Sequence, residues 1–183
     1  MRLGLPLVLA ASVTALGCGG KGASSPSRPL PSWAGHATEL FDDAIEPRAL
    51  GLELDRGAGS PASDPMLRER SQVGDAVLRV RVDTVTATDD GVNARYDIGL
   101  RTLEKLAGEN PPPEQFGVRV DKSSPASGLL RSFDTRLGGK TFIVFVREFV
   151  RPDGDTEWHF HFAKDDKLVA SAVRDAVALG DAK

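Results

Sequence analysis

Between Asp75 and Phe162 the chain alternates apolar and charged residues again and again, the period-two pattern of strands with one face in a core and one in water. Leu78, Val80 and Val82 interleave with Arg79, Arg81 and Asp83; Tyr96, Ile98 and Leu100 interleave with Arg95, Asp97 and Arg101. Phe116, Val118 and Val120 repeat the pattern, and so do Trp158, Phe160 and Phe162 set against Glu157, His159 and His161. Thr141 to Val146 is apolar on both faces, which predicts a central strand covered on both sides. Asp89-Asp90-Gly91 and Arg151-Pro152-Asp153-Gly154-Asp155 read as turns, and Pro111-Pro112-Pro113 separates the second strand from the third.

The connection Ser123 to Gly138 has room for a helical turn around Leu129 and Leu130. After the last strand, Leu168, Val169, Ala172, Val173, Ala176 and Val177 fall on one face of a helix, with Asp165 or Asp166 as its cap and Gly180 as its stop. Upstream, Leu40, Phe41, Ala44 and Ile45 stand at helical spacing in His36 to Glu46, and Pro47 ends that run. Ser63-Asp64-Pro65 starts a brief second helix through about Arg70. The expected fold is mainly β, of the α+β class: a small five-stranded, partly open OB-like barrel with a C-terminal helix and short N-terminal helices. Its parts are a helical and loop segment at 33–74 and the β domain at 75–183. About 150 residues are enough to enclose a real core.

Residues 1–32 cannot belong to that core. Arg2 gives a positive start, Leu3 to Leu16 are apolar, and Gly17 precedes Cys18, the single cysteine of the chain. Fourteen residues cover only about 21 Å, short of a roughly 30 Å hydrocarbon layer, so the stretch reads as a targeting signal rather than a span. An ordinary secretory leader also satisfies a small residue at Ala15 and Gly17, but secreted cysteines usually come in pairs and this one has none. From Gly19 to Ser32 the chain is small residues and proline, a tether whose reach is about 20 Å.

Thr14-Ala15-Leu16-Gly17-Cys18 resembles the leader end of the bacterial lipoproteins, with Ala15 where Leu is commonest and Leu16 where a small residue is commonest. The resemblance implies a signal peptide at 1–17 and an acylated Cys18 opening the tether at 18–32. It also implies a diacylglycerol on Cys18 and an N-acyl chain. Several such chains hold a protein on a bilayer, at about 0.8 kcal/mol per buried CH₂. Gly19 rather than Asp follows the cysteine, which favours the outer membrane, with the domain in the periplasm.

A second resemblance covers residues 75–162. The start Asp75-Ala76-Val77, the alternation Tyr96, Ile98, Leu100 running on to Leu106-Ala107-Gly108, and the stretch Gly139-Lys140-Thr141-Phe142-Ile143-Val144-Phe145 are similar to the netrin and tissue-inhibitor-like OB domains. That family's disulfides are absent here, so its metalloprotease inhibition is not implied.

The charge balance, 23 Lys and Arg against 26 Asp and Glu, gives a mildly acidic chain with no electrostatic pull toward nucleic acid. Gly139-Lys140-Thr141 resembles the tail of a phosphate loop, but Asp134 stands at the first glycine position and a strand follows. No nucleophile elbow is present, and the only thiol is the one expected to be acylated.

Two constellations remain. Glu157, His159 and His161 project from one face of a strand, where two imidazoles at i and i+2 and a carboxylate reach one metal. The same residues equally serve as the polar face of a half-exposed strand. Arg79, Arg81, Arg95, Arg101 and Arg119 form either a basic face for an anionic glycan or headgroup, or, with Asp83, Asp97, Glu104 and Asp121 among them, a solvated ion-paired face. The function expected is that of a membrane-anchored, non-enzymatic envelope lipoprotein that binds a protein or glycan partner and no nucleic acid. A metal- or small-ligand-binding lipoprotein of an uptake system is the alternative, and a metal-dependent enzyme is the third reading.

Overall fold

The computed structural model describes residues 29–52, 59–88 and 95–180. The leader, Cys18, most of the tether and the Asp89-Asp90-Gly91 turn lie outside these residues. The chain forms a mixed α+β fold in which a six-stranded sheet curls into a half-barrel, with a C-terminal helix packed on its outer side.

In chain order the elements are α1 (Ala37–Leu40), β1 (Ala44–Ile45), α2 (Pro65–Val73), β2 (Ala76–Thr88), β3 (Arg95–Ala107), β4 (Gln115–Asp121), α3 (Ala126–Phe133), β5 (Thr141–Val150), β6 (Thr156–Lys164) and α4 (Lys167–Gly180). The sheet order is β1-β6-β5-β2-β3-β4. Every pairing is antiparallel except β1 with β6. The long strands β2 and β3 lose register at three places, Val77/Leu78, Arg79/Val80 and Val82/Thr84. Such bulges add local twist, which is how thirteen-residue strands bend around a small core.

Five alternating segments become β2 to β6, close to their expected places. β5 is apolar on both faces because it has a layer on each side. Phe142, Val144 and Val146 point into the half-barrel with Val80, Val118, Phe160 and Phe162. Ile143, Phe145 and Phe149 point the other way, into an outer layer with Leu40, Phe41, Leu67, Val169 and Val173. Each fully buried Phe contributes about 1.5–3 kcal/mol by leaving water. Leu130 of α3 plugs the inner core.

The local signals for α2 hold. Asp64 Oδ1 accepts from the backbone N–H groups of Met66 (2.9 Å) and Leu67 (3.3 Å), with Pro65 in the first turn, and the helix runs on to Val73. Asp166 Oδ1 likewise accepts from Leu168 N–H (2.7 Å) ahead of α4. Gly108, at φ +92, lets β3 end against the start of β2; a Cβ there would stand 2.2 Å from the Asp75 carbonyl oxygen.

Several expectations are corrected. The sheet has six strands among the described residues, not five. The extra one comes from His36 to Glu46, which forms a single helical turn and then a strand: Asp43 sits at φ +51, outside helical space, and β1 follows it. Pro31 and Ser32, expected in the tether, pair with the end of β5: Val150 N–H donates to Pro31 O at 3.0 Å, and Ser32 bridges Val150. Leu168, expected on the buried face of α4, is 68% exposed, and Ala170 takes its place inside. Helix α4 includes Gly180 rather than stopping before it.

Candidate functional site

Residues 31–46 form a strap across the outer face of β6, and the two histidines of that strand hold it. Each imidazole is 8% exposed, so neither faces water as a half-exposed strand would have it. His159 Nδ1 lies 2.8 Å from Asp43 Oδ2, and His161 Nδ1 lies 2.8 Å from Asp42 Oδ1. Glu46 Oε1 stands 3.6 Å from His161 Nε2.

The left-handed backbone at Asp43 explains how consecutive carboxylates serve different histidines. It turns the chain out of α1 so that Asp43 N–H donates to Phe160 O at 2.9 Å, while Asp43 Oδ1 accepts from Phe160 N–H at 3.2 Å. Asp tolerates this conformation better than most residues. Arg70 of α2 clamps the strap from the other side, donating from Nε to Leu40 O (2.5 Å) and from Nη2 to Glu39 O (3.3 Å). Trp33 covers the end, stacked on His159 and donating from Nε1 to Phe41 O at 2.9 Å. Phe149 meets the same imidazole edge-on at 5.6 Å.

The electrostatics follow from burial and pairing. Burial pushes the His161 pKa down, but the hydrogen bond with Asp42 and the nearby Glu46 carboxylate outweigh it, and the net direction is up. For Glu46, burial pushes up, while the neighbouring His161 and the hydrogen-bonded Arg48 bring the carboxyl down to about 2. Asp43 goes the other way: burial raises its pKa more than the bond with His159 lowers it. The cluster is therefore a charge-assisted latch, whose strength depends on His161 keeping its proton.

Glu157 does not join the histidines. It lies at the wall of a groove of about 530 Å³ between the β5–β6 turn and the strands β3 and β4. Arg119 sits in that wall between two carboxylates, its Nε 3.5 Å from Asp97 Oδ1 and its Nη1 3.8 Å from Glu157 Oε1. Arg151 Nε is 3.9 Å from Glu157 Oε2. Gly99 and Gly117 face each other in register on the groove's floor, and half-buried Trp158 stands beside them.

No protein-family model matches this sequence, and no curated protein matches it either.

Of the sequence-level candidates, then, His159 and His161 come together but each faces its own carboxylate, and Glu157 pairs with arginines. Among the described residues no group of three His, Cys, Asp or Glu side chains is placed to hold a metal ion. The five arginines face carboxylates: Arg79 meets Glu104 and Asp165, Arg81 and Arg101 share Asp83, and Arg95 and Arg119 share Asp97. This is the solvated, ion-paired face. Trp158, in the apolar alternation of the last strand, packs against the inner core from its rim. Sequence reasoning missed Asp42 and Asp43 as partners of the histidines. The only local signal was an acidic pair that ends an apolar helical run.

Proposed function

We propose that this chain is a membrane-anchored envelope lipoprotein, a non-enzymatic accessory or binding module for a protein or glycan partner. The observation that carries this reading is the single cysteine, Cys18, placed directly behind an apolar leader and a small residue. A diacylglycerol on its sulfur and an acyl chain on its amine anchor the protein to the outer membrane, and the folded domain stands in the periplasm. Pro31 and Ser32 pair with the end of β5, which leaves about a dozen residues between Cys18 and the domain as a tether.

The half-barrel supports an OB-like reading. Leaving out the two-residue β1, the long strands stand in the order β6-β5-β2-β3-β4, with a long, helix-bearing connection before β5. Arg119 of β4 and Glu157 of β6 face each other across the opening, as the walls of a partly open barrel do. The groove at that opening is the surface offered to a partner.

Metabolic labelling with an alkyne-bearing fatty acid, followed by envelope fractionation, tests the anchor. Wild-type protein is expected to take up label and stay with membranes through a high-salt wash, and Cys18→Ser to lose the label and appear in the soluble periplasmic fraction. Membrane retention of the unlabelled variant would show that attachment does not run through Cys18.

A further inference from the structure

We infer that the groove at the barrel opening is a saccharide-binding site that takes a segment of uncharged glycan. The inference rests on the binding-module reading, since it names that module's ligand.

The floor is open backbone at Gly117; at Gly99 the Thr84 hydroxyl stands 2.4 Å from where a Cβ would be and covers the strand. Gly99 and Gly117 are register partners on β3 and β4. A Cβ on Gly117 would meet only the Ile98 carbonyl oxygen, at 3.8 Å, so a side chain has room there and is missing. Glycine inside a strand weakens it, and its usual return is close approach of a ligand or another backbone. Here that approach is open to solvent, because Gly117 is exposed.

The wall offers donors and acceptors in alternation. Asp97, Arg119, Glu157 and Arg151 follow one another at separations of 3.5 to 3.9 Å, longer than good hydrogen bonds. These groups are close enough to orient one another and still have capacity for a ligand. The Nε of Arg119 is buried and makes no hydrogen bond among the described residues. Adjacent sugar hydroxyls each donate and accept, so they match a wall in which guanidinium and carboxylate alternate. Thr84, Thr86 and Thr156 add hydroxyls around the same space, and Trp158 adds an apolar ring against which the C–H face of a pyranose packs.

Charge and spacing exclude the competing occupants. Asp97, Asp155 and Glu157 outnumber Arg119 and Arg151 in the lining, which repels phosphate, sulfate or a polyanion. An extended peptide inserted between β4 and β6 needs about 4.8 Å on either side of it. Cα atoms of β4 and β6 come within 8 Å of each other, too close for a strand between them. The volume, about 530 Å³, lies in the range of small-molecule clefts, roughly 300–1,000 Å³.

The test is calorimetric titration of the acylated full-length protein, held in a sugar-free zwitterionic detergent. The probes are chitohexaose, cellohexaose and maltohexaose, with dextran sulfate and penta-alanine as the charged and peptide competitors. At least one neutral hexasaccharide is expected to bind at millimolar concentration or below. Affinity should fall roughly tenfold or more in Gly117→Val, which fills the floor without a backbone clash, and in Arg119→Met. Unchanged melting of Gly117→Val shows that the fold survives. Silence with all three neutral probes, equal binding by both variants, or preference for dextran sulfate or the peptide overturns the inference. Since the acyl chains stay in the micelle, a failed titration leaves the anchor standing, and retention of Cys18→Ser in membranes leaves the saccharide result standing.

Discussion

The indole of Trp33 lies flat on the imidazole of His159, with 3.8 Å between ring centroids and 8° between planes. This stack joins the start of the strap to the last strand of the sheet. It also shields one side of the His159–Asp43 pair, which is hydrogen-bonded at 2.8 Å.

Trp33→Ala removes both the stack and the hydrogen bond to Phe41 O. Each is worth about 0.5–1.5 kcal/mol, so a loss of about 1–3 kcal/mol is expected in chemical denaturation. Trp33→Phe keeps a ring on His159 and should recover about half of it. A loss under about 0.3 kcal/mol for Trp33→Ala would mean that the strap is held without its end.

Asp43→Ala leaves a buried imidazole and the Phe160 amide without their partner, and places a Cβ-bearing residue with no polar side chain at φ +51. Leaving a buried polar group without its hydrogen-bond partner costs about 1–3 kcal/mol. Asp43→Asn tolerates the same backbone and keeps an acceptor for Phe160, so it is expected to lose less. Equal melting of the two variants would contradict the role assigned to the side chain.

The latch has a pH signature. His161 has a raised folded-state pKa, so its contribution is complete below the unfolded value near 6.5 and fades as pH climbs through the folded value. Glu46, held down to about 2, contributes above its unfolded value of 4.5 and fades as pH falls toward 2. Asp43, raised by burial, opposes Glu46 on that acid limb. Melting temperature should therefore decline as pH rises above about 6.5, and His161→Asn should flatten that decline. Parallel alkaline limbs in wild type and variant would remove His161 as the titrating group.

Two glycines with positive φ should respond differently to alanine. At Gly108 (φ +92) the new methyl meets the Asp75 carbonyl and the Ala76 Cα, both backbone, and a loss above about 3 kcal/mol is expected. At Gly139 (φ +77) nothing lies within 4 Å, so only the left-handed conformation is penalised, about 1–2 kcal/mol. Denaturant midpoints of the two variants check the difference.

Much of the half-barrel was legible in the alternation. Val118 and Val120 are buried, and Arg119 between them is not, because side chains on a strand alternate and nothing distant alters that. Asp64 and Asp166 were legible as caps for the same reason: both bonds are made within three residues. The strap was not legible. Leu40, Phe41, Ala44 and Ile45 fit a helix, yet Leu40 and Phe41 belong to the outer layer and Ile45 to the inner core. One continuous helix has no face that serves two cores on opposite sides of a sheet. Nor was the groove legible, since Gly117, Arg119 and Glu157 are brought together only when the sheet curls.

What the amino-acid sequence alone determined was local: five strand-forming segments and two capped helices. The tertiary structure decided the fate of groups whose partners lie far along the chain. Asp43 meets His159 across 116 residues, and Asp42 meets His161 across 119. Helical propensity over one turn is worth only tenths of a kcal/mol per residue, less than two buried charge-assisted hydrogen bonds. That difference is why a helix-like run ends as a strand under two histidines.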